Sequence, residues 1–244
     1  MNLNYPRVVA HRGAGHLAPE NTLSALLIGA AFGQKMVEVD VQLSADGQVF
    51  LLHDATLERT TNGHGIAAQQ PWKALSRLDA GSWFDERFDE ETLPTLQEAL
   101  QVCIENGLDI NIELKPDAGR EAELAAAVLK VCRQYWPDTA PRKPLLSSFS
   151  VAAMEALRDM GPEFPRAYLV ADTVTPETLA SATALDVQFL DIGHAALTPD
   201  TLAQLRNAHL AVMAWTINDP EQAHHYWAQG VAMICTDAID LIQP

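Results

Sequence analysis

The sequence is short of basic residues and of long apolar runs, and both shortages exclude classes of protein. The chain contains 16 Lys and Arg and 32 Asp and Glu residues, which gives a formal net charge of -16. Nucleic acids and anionic membrane surfaces are bound by basic patches, so the charge argues against both as partners. No apolar run reaches the roughly 20 residues that span a membrane. We therefore expect no stable membrane association.

Cysteine is equally scarce. The three cysteines, Cys103, Cys132 and Cys235, are odd in number, far apart and embedded in apolar stretches. They are typical of reduced, buried thiols rather than of a disulfide framework. The first seven residues lack the charged start and apolar core of a secretory signal. Together these features predict a cytoplasmic protein.

What the chain does have is a regular alternation of strand-like and helix-like segments, within a length of 244 residues that suits one domain, 1–244. The predicted strands are 7–11, 36–43, 48–53, 109–115, 144–148, 166–170, 187–192, 210–216 and 232–236. The predicted helices are 21–33, 96–106, 121–135, 151–160, 176–184, 199–208 and 220–229. If 48–53 extends the second unit, eight βα units remain, which predicts an α/β fold of the (β/α)8 TIM-barrel class. An open doubly wound sheet is the alternative, but it would usually carry a Gly-rich dinucleotide loop, and none is present.

One segment, 54–94, interrupts this alternation. It contains Trp72, Trp83 and many charged residues but no long periodic helix. Loops of this length in a compact domain are usually functional. We predict an insertion after the second strand that caps the mouth of the barrel.

Acidic side chains on two predicted strands indicate a metal site. Side chains alternate between the faces of a strand, so Glu38 and Asp40 share one face of 36–43. Asn111, Glu113 and Lys115 likewise share one face of 109–115. Carboxylates crowded together resist ionisation unless a cation is bound, and all-oxygen ligation suits Mg²⁺ or Ca²⁺. Salt bridges are the alternative, but two acidic clusters together favour one divalent cation.

Two histidines, His11 and His53, end predicted strands in the same half of the barrel. Neutral imidazole as base and imidazolium as acid is the usual arrangement for proton transfer near neutral pH. A histidine at a strand end can also be held only by hydrogen bonds, but Arg12 and Asp54 beside this pair favour catalysis. The remaining histidines lack such surroundings and are expected mostly at the surface, with His194 a candidate for the rim of the site.

Further residues near the predicted strand ends suit a small anionic substrate. Arg12 and Lys115 offer a planar fork and a point charge to phosphate oxygens, or else pair with the nearby acids. Glu20 and Asn21 open the first helix, where Asn21 is either an N-cap or a support for the site.

The aromatic residues Phe149 and Trp215 follow the fourth and seventh predicted barrel strands, and Asn218 lies close behind. Such aromatics often belong to the core. Here they would also wall a pocket for a glycerol-sized group.

These motifs, in this order and along nearly the whole chain, resemble those of the glycerophosphodiester phosphodiesterases. The matching pieces are His11-Arg12-Gly13, Pro19-Glu20-Asn21-Thr22, Glu38-Val39-Asp40, His53-Asp54, Arg59-Thr60-Thr61, Glu113-Leu114-Lys115, Ser148-Phe149, Trp215-Thr216-Ile217-Asn218 and Thr236-Asp237. The chain most closely resembles the short cytoplasmic bacterial enzymes, whose chains also end in Cys-Thr-Asp-Ala-Ile-Asp.

The resemblance implies a TIM barrel with a small insertion after the second strand. It also implies a divalent cation bound by Glu38, Asp40 and Glu113, an acid–base pair of His11 and His53, and phosphate contacts from Arg12 and Lys115. The implied substrates are glycerophosphocholine, glycerophosphoethanolamine and glycerophosphoglycerol, cleaved to sn-glycerol 3-phosphate and an alcohol.

Three competing functions are weaker. A lysophospholipase D would need an apolar entry or a membrane attachment, and a non-catalytic ligand-binding barrel would not need the full set of histidines and acids. A zinc hydrolase would carry His-X-His after the first strand, which is absent. The choice between Mg²⁺ and Ca²⁺, the preferred alcohol and the oligomeric state do not follow from the sequence.

Overall fold

The computed structural model describes residues 3–243, so Met1, Asn2 and Pro244, which belong to the predicted domain, lie outside the described residues. One nine-stranded sheet organises the chain. Its strands are β1 (Val8–Ala10), β2 (Met36–Leu43), β3 (Val49–Leu51), β4 (Asp109–Leu114), β5 (Leu145–Ser148), β6 (Arg166–Val170), β7 (Phe189–Gly193), β8 (Ala211–Trp215) and β9 (Met233–Thr236).

The sheet closes on itself. The strand β1 pairs in parallel with β2 on one side, where Ala10 faces Val37, and with β9 on the other, where Val8 faces Ile234. Around the ring the order is β1-β2-β4-β5-β6-β7-β8-β9, all parallel, and β3 is added antiparallel to the end of β2. The prediction of a (β/α)8 TIM barrel is confirmed, with 48–53 as an extension of the second unit.

Helices connect the strands and cover the outside of the barrel. They are α1 (Leu23–Ala31), α2 (Trp72–Leu75), α3 (Leu96–Asn106), α4 (Glu121–Tyr135), α5 (Val151–Met160), α6 (Pro176–Ala184), α7 (Pro199–Asn207) and α8 (Pro220–Ala228). Three of them begin at a proline behind a capping side chain, from Thr175, Thr198 and Asp219, as the sequence predicts. Within the described residues the last strand, β9, is followed by turns and not by a further helix.

The start of the first helix differs from the prediction. The capping residue of α1 is Thr22, whose side chain accepts a hydrogen bond from Ala25 N. Asn21 is not the cap, because its backbone is left-handed (φ 58°) and its side chain turns toward the barrel mouth. The prediction therefore places the helix start two residues too early.

Alternation along the strands separates two cores. In β2 the side chains of Val37, Val39 and Val41 pack outward against the helices, whereas Glu38 and Asp40 point into the barrel. The lower barrel is filled by apolar side chains: Tyr5, Val9, Met36, Leu145, Ala167, Phe189, Met213, Met233 and Cys235. An apolar plug closes the lower end, so polar chemistry is confined to the end where the strands finish.

The insertion, 54–94, contains short helices, and its Leu57, Ala67, Leu75, Ala80 and Leu93 pack with the preceding Phe50 and Leu52 in a small separate core. None of the described residues of 54–94 lines the cavity at the barrel mouth, but Asp54 contacts His53 and Arg59 contacts Glu20 at its rim. That the insertion caps the mouth of the barrel stays a prediction.

All three cysteines are free and buried, as predicted. Among residues 3–243, none of the helices combines the length and the apolar character needed to cross a bilayer.

Candidate active site

A cavity of about 250 Å³ opens at the end of the barrel where the parallel strands finish. This is the end at which loops of such barrels carry functional residues. The cavity is lined by His11, Arg12, Glu38, His53, Asn111, Glu113, Lys115, Phe149, Leu169, Asp191, Met213, Trp215, Thr216 and Cys235. The structure thus brings together both predicted histidines, both predicted cations and both predicted aromatics.

Three carboxylates form the acidic cluster of this site. Oxygen atoms of Glu38, Asp40 and Glu113 lie within 4.8 Å of one another. All three side chains are buried, with Asp40 at 1% exposure. They come together because β2 and β4 are neighbours in register, with Asp40 opposite Glu113.

Burial and mutual repulsion perturb the ionisation of this cluster. Burial, with the charges of Asp40 and Glu113, raises the pKa of Glu38 well above its usual value. The same causes, burial first and then Asp40, raise the pKa of Glu113 to about 7. For Asp40 the burial is outweighed by Lys115 and Arg12, which lower its pKa. Burial and repulsion between the carboxylates therefore outweigh the attraction of Lys115 and Arg12 at Glu38 and Glu113.

Two cations border the acidic cluster. Lys115 Nζ lies 2.5 Å from Glu113 Oε1 and 3.4 Å from Asp40 Oδ1. Arg12 has a left-handed backbone (φ 50°), and its N–H donates to Glu38 Oε2 at 2.9 Å. Its guanidinium donates to Glu20 and lies 3.5 Å from Asp40. The alternative pairing of these cations with the acids is thus present, and both cations also face the cavity.

The acidic cluster fits a hard divalent cation. Glu38 Oε1 is buried without a hydrogen-bond partner, although such an atom normally has one. Three carboxylates from two rigid strands supply the oxygen ligands that Mg²⁺ and Ca²⁺ prefer. A bound cation would satisfy the unpartnered oxygen and permit all three groups to ionise.

His11 is held in position by an aspartate. Its Nδ1 lies 2.6 Å from Asp237 Oδ1, and Asn218 holds Asp237 by donating from Nδ2 to Oδ2 at 3.1 Å. Arg12 Nε donates to His11 Nε2 at 3.3 Å. Because a guanidinium can only donate, Nε2 must carry a lone pair. This contact fits the tautomer whose Nδ1–H faces Asp237.

His53 has a parallel arrangement. Its Nδ1 lies 2.7 Å from Asp54 Oδ1, which leaves Nε2 free for the cavity. Burial lowers the pKa of His53, and the charge of Asp40 and the hydrogen bond to Asp54 oppose this effect. Arg59 holds Asp54 through a bidentate contact, with bonds of 2.6 and 2.9 Å. The pKa of Asp54 is accordingly well below its usual value, chiefly because of Arg59.

Two predicted supporting residues tie the first loop to the acidic cluster. Asn21 donates from Nδ2 to Asp40 Oδ2 at 2.8 Å and accepts from Asp40 N at 3.0 Å. Glu20 accepts from both Arg12 and Arg59 at distances from 2.6 to 2.9 Å. These contacts fix the two arginines relative to the carboxylates.

The opposite side of the cavity is apolar. The rings of Phe149 and Trp215 meet edge to face, with centroids 5.8 Å apart. Leu169 and Met213 lie below them. Lys115 Nζ lies 5.6 Å from the centre of the Phe149 ring, within the range of a cation–π contact.

A second, more open groove lies beside the cavity. It shares His53, Glu113, Lys115 and Phe149 with the cavity and continues along the loops after β4 and β5. His11 does not line it. His53 therefore lies at the boundary between two spaces.

Sequence reasoning missed several side chains at the site. Asp237 and Arg59 occur in the matching motifs but were given no role. Asp191 on β7 and Cys235 on β9 also line the cavity, although the sequence predicts no role at the site for either residue. Asp191 could have been found as the one acid on the inward face of an otherwise apolar strand. His194 packs against Tyr226 and does not line the cavity, so its candidacy for the rim finds no support in the cavity lining.

Residues 11–241 match the glycerophosphoryl diester phosphodiesterase family. The chain belongs to this family. A glycerophosphodiester phosphodiesterase of Caldanaerobacter subterraneus is 27% identical over 230 residues, which cover 94% of this chain and 93% of the relative. The enzyme class predicted from the sequence, a glycerophosphodiester phosphodiesterase, is thereby confirmed.

Two solved structures extend the similarity to three dimensions. A phosphodiesterase of Oleispira antarctica, in complex with the product sn-glycerol-3-phosphate, has a TM-score of 0.91 at 38% identity, covering 96% of this chain and 93% of its own. A glycerophosphodiester phosphodiesterase of Agrobacterium tumefaciens has a TM-score of 0.76 at 29% identity, with 97% and 98% covered. The barrel and its family assignment rest on both sequence and structure.

Proposed function

We propose that this chain hydrolyses glycerophosphodiesters to sn-glycerol 3-phosphate and a free alcohol, by acid–base catalysis from two histidines. The observation that carries the proposal is one cavity lined by Glu38 and Glu113 of the acidic cluster, by two aspartate-held imidazoles and by two cations. The relative from Oleispira antarctica, bound to sn-glycerol-3-phosphate, supports the same product.

Arg12 and Lys115 bind the phosphodiester. Both face the cavity. Their positive charges attract a phosphate there, although the net charge of the whole chain is -16. Arg12 is fixed by Glu20, so its fork is already oriented before substrate binds. Glu38, Asp40 and Glu113 would hold Mg²⁺ or Ca²⁺. A bound cation would polarise the phosphoryl oxygens and stabilise charge in the transition state.

His11 acts as the general base. Its Nε2 carries the lone pair in the free protein, and Asp237 stabilises the imidazolium that forms when Nε2 takes a proton. The proton comes from the attacking hydroxyl, which belongs either to water or to the glycerol 2-position.

His53 acts as the general acid. It lies between the cavity and the open groove, so an alcohol that leaves through the groove passes its Nε2. Asp117 and Glu121 also line the groove, and their charge suits choline or ethanolamine as leaving alcohols.

The test is release of sn-glycerol 3-phosphate from glycerophosphocholine, glycerophosphoethanolamine and glycerophosphoglycerol, each with Mg²⁺, with Ca²⁺ and with a chelator. We expect turnover that the chelator abolishes and a metal restores. Turnover that survives the chelator would contradict the role of the acidic cluster. Absence of turnover with either metal, in folded protein, would contradict the proposed function.

Two further assays separate the alternatives. Lysophosphatidylcholine as substrate tests the lysophospholipase D activity, which we expect to be much weaker. Incorporation of oxygen-18 together with a search for cyclic glycerol phosphate distinguishes attack by water from attack by the 2-hydroxyl. The cytoplasmic location stays a prediction of the sequence.

A further inference from the structure

Three buried polar atoms in the cavity have no hydrogen-bond partner and no part in the acidic cluster. They are Asp191 Oδ1, Asn111 Oδ1 and Trp215 Nε1. All three residues line the cavity, and Asp191 and Asn111 are only 2% and 1% exposed. Since buried polar groups are almost always hydrogen-bonded, three unpartnered atoms in one cavity indicate a ligand that supplies the missing bonds.

Asp191 lies in the half of the barrel away from the phosphate-binding cations. In the ring of strands β7 is opposite β2, whereas Arg12 follows β1 and Lys115 follows β4, the two neighbours of β2. On β7 the register places Asp191 between Leu169 and Met213. The cations that attract a phosphate lie in the other half of the mouth, whereas Leu169 and Met213 beside Asp191 carry no charge, so the phosphate stays with the cations and a neutral part of the substrate faces Asp191.

The hydrogen-bonding properties of the three atoms indicate which chemical group of the substrate faces them. Two of them accept hydrogen bonds and one, the indole N–H, donates. An ammonium group would serve both acceptors but leave the buried N–H of Trp215 without a partner. A hydroxyl group both donates and accepts, so a group with two hydroxyls satisfies all three atoms.

We propose that Asp191 determines specificity for the glycerol moiety, accepting a hydrogen bond from its terminal hydroxyl, with Asn111 and Trp215 completing the subsite. The inference rests on the proposed function, because the phosphate must lie at Arg12 and Lys115 for glycerol to reach Asp191. The apolar surroundings formed by Leu169 and Met213 exclude water that would otherwise compete for these hydrogen bonds.

The test compares two substrates that differ in one oxygen. They are the phosphocholine diester of glycerol and that of 1,2-propanediol, which keeps the hydroxyl next to the phosphate-bearing carbon and lacks the terminal one. Leaving a buried acceptor unpaired is costly, so we expect kcat/KM of the native protein to favour the glycerol compound by roughly 10- to 100-fold, which is about 1.4–2.8 kcal/mol at 1.4 kcal/mol per factor of ten. The retained 2-hydroxyl keeps both routes of attack open for both substrates.

Variants at Asp191 should remove this preference. In Asp191→Leu we expect the kcat/KM ratio to fall to within about threefold of unity, because the acceptor is gone. Asp191→Asn keeps an acceptor oxygen and should retain most of the preference. Met213→Leu changes the shape of the same layer without a polar atom, and it should alter both substrates by a similar factor. If Asp191→Leu does not fold, Asp191→Ala replaces it.

Binding measurements separate this inference from the proposed function. Calorimetry of sn-glycerol 3-phosphate and of 1,2-propanediol 1-phosphate needs no turnover, and the native protein should bind the first about 10- to 100-fold more tightly. Loss of this difference in Asp191→Leu supports the subsite even if hydrolysis fails. A native ratio retained in Asp191→Leu, or an equal loss on both compounds, would overturn the role of Asp191 even if hydrolysis is confirmed.

Discussion

The two halves of the barrel mouth are built from the same kind of strand and yet differ in almost every physical property. The half formed by β1, β2 and β4 carries the acidic cluster, the two histidines and both cations. The half formed by β5, β6, β7 and β8 lines the cavity mainly with apolar side chains, among which Asp191 is the one ionisable group in the described residues. The charged half suits bond cleavage, and the apolar half suits recognition.

Support for the side chains follows the same division. In the charged half each catalytic candidate has a partner that fixes it: Asp237 for His11, Asp54 for His53 and Asn21 for Asp40. In the apolar half Asp191 Oδ1 and Trp215 Nε1 have no such partner, and in the charged half the unpartnered atoms include Glu38 Oε1 at the acidic cluster and Asn111 Oδ1. Fixed groups reduce reorganisation during the reaction, whereas unpartnered groups distinguish one ligand from another. Changes in the first half should lower kcat, and changes in the second should alter KM or selectivity.

The largest effect is expected from the histidines. General acid–base catalysis contributes on the order of 10²–10⁴-fold, so His11→Ala and His53→Ala should each lower kcat by about this factor without unfolding the protein. His64, whose side chain is 86% exposed, provides the control His64→Ala. Steady-state kinetics and thermal unfolding measure both properties. Near-normal turnover by soluble His53→Ala would contradict the acid–base scheme.

A smaller loss is expected when the support of a histidine is removed. Asp237→Asn keeps the shape but loses the charge that holds His11 Nδ1–H, and we expect kcat to fall by up to about 10²-fold. KM should change little, because the phosphate contacts are untouched. A change in KM alone would assign Asp237 to substrate binding instead.

A substitution in the apolar half should change KM and leave kcat nearly unaltered. Phe149→Leu removes the ring that packs against Trp215 and Lys115. Aromatic contacts contribute about 0.5–1.5 kcal/mol, so we expect KM to rise by about 2- to 10-fold and kcat to stay within a factor of two. A loss of kcat as large as that of the histidine variants would remove the distinction between the halves.

The smallest effect concerns stability in metal-free protein. The pKa of Glu113 is raised in the folded state from 4.5 to about 7, chiefly by burial, so the folded chain holds a proton that the unfolded chain releases. Its contribution therefore makes the free energy of unfolding fall as pH rises from about 4.5 to about 7. Glu113→Gln cannot ionise, and its Tm relative to the native protein should be higher at pH 8 than at pH 5, by on the order of 5 °C.

The control for this measurement is Glu155→Gln on the exposed face of α5, whose difference from the native protein should not depend on pH. Added Mg²⁺ or Ca²⁺ should stabilise the native protein more at pH 8 than at pH 5, because the ligands must be ionised. An equal pH response of native protein and Glu113→Gln would contradict the raised pKa.

Much of the fold follows from local signals in the sequence. Alternation in β2 and β4 predicts which side chains face the helices, and proline behind a capping residue predicts where α6, α7 and α8 begin. The acidic cluster follows from the same alternation, because neighbouring parallel strands bring equivalent positions together.

The remaining features depend on contacts between distant parts of the chain. Asn21 looks like a helix cap in sequence, but its hydrogen bonds to Asp40 draw it into the mouth. Asp237 lies 226 residues from His11 and reaches it because β9 closes the barrel against β1. The role of Asp191 depends on the cavity around it, and no local sequence pattern predicts that cavity.

The most direct measurement is the formation of sn-glycerol 3-phosphate from glycerophosphocholine, by native protein and by Glu38→Gln, with Mg²⁺ or Ca²⁺ and with a chelator. We predict metal-restored turnover by the native protein and a large loss in Glu38→Gln, accompanied by loss of the rise in Tm that the metal produces. Equal, chelator-resistant turnover by both proteins would contradict the assignment of catalysis to the charged half of the barrel mouth.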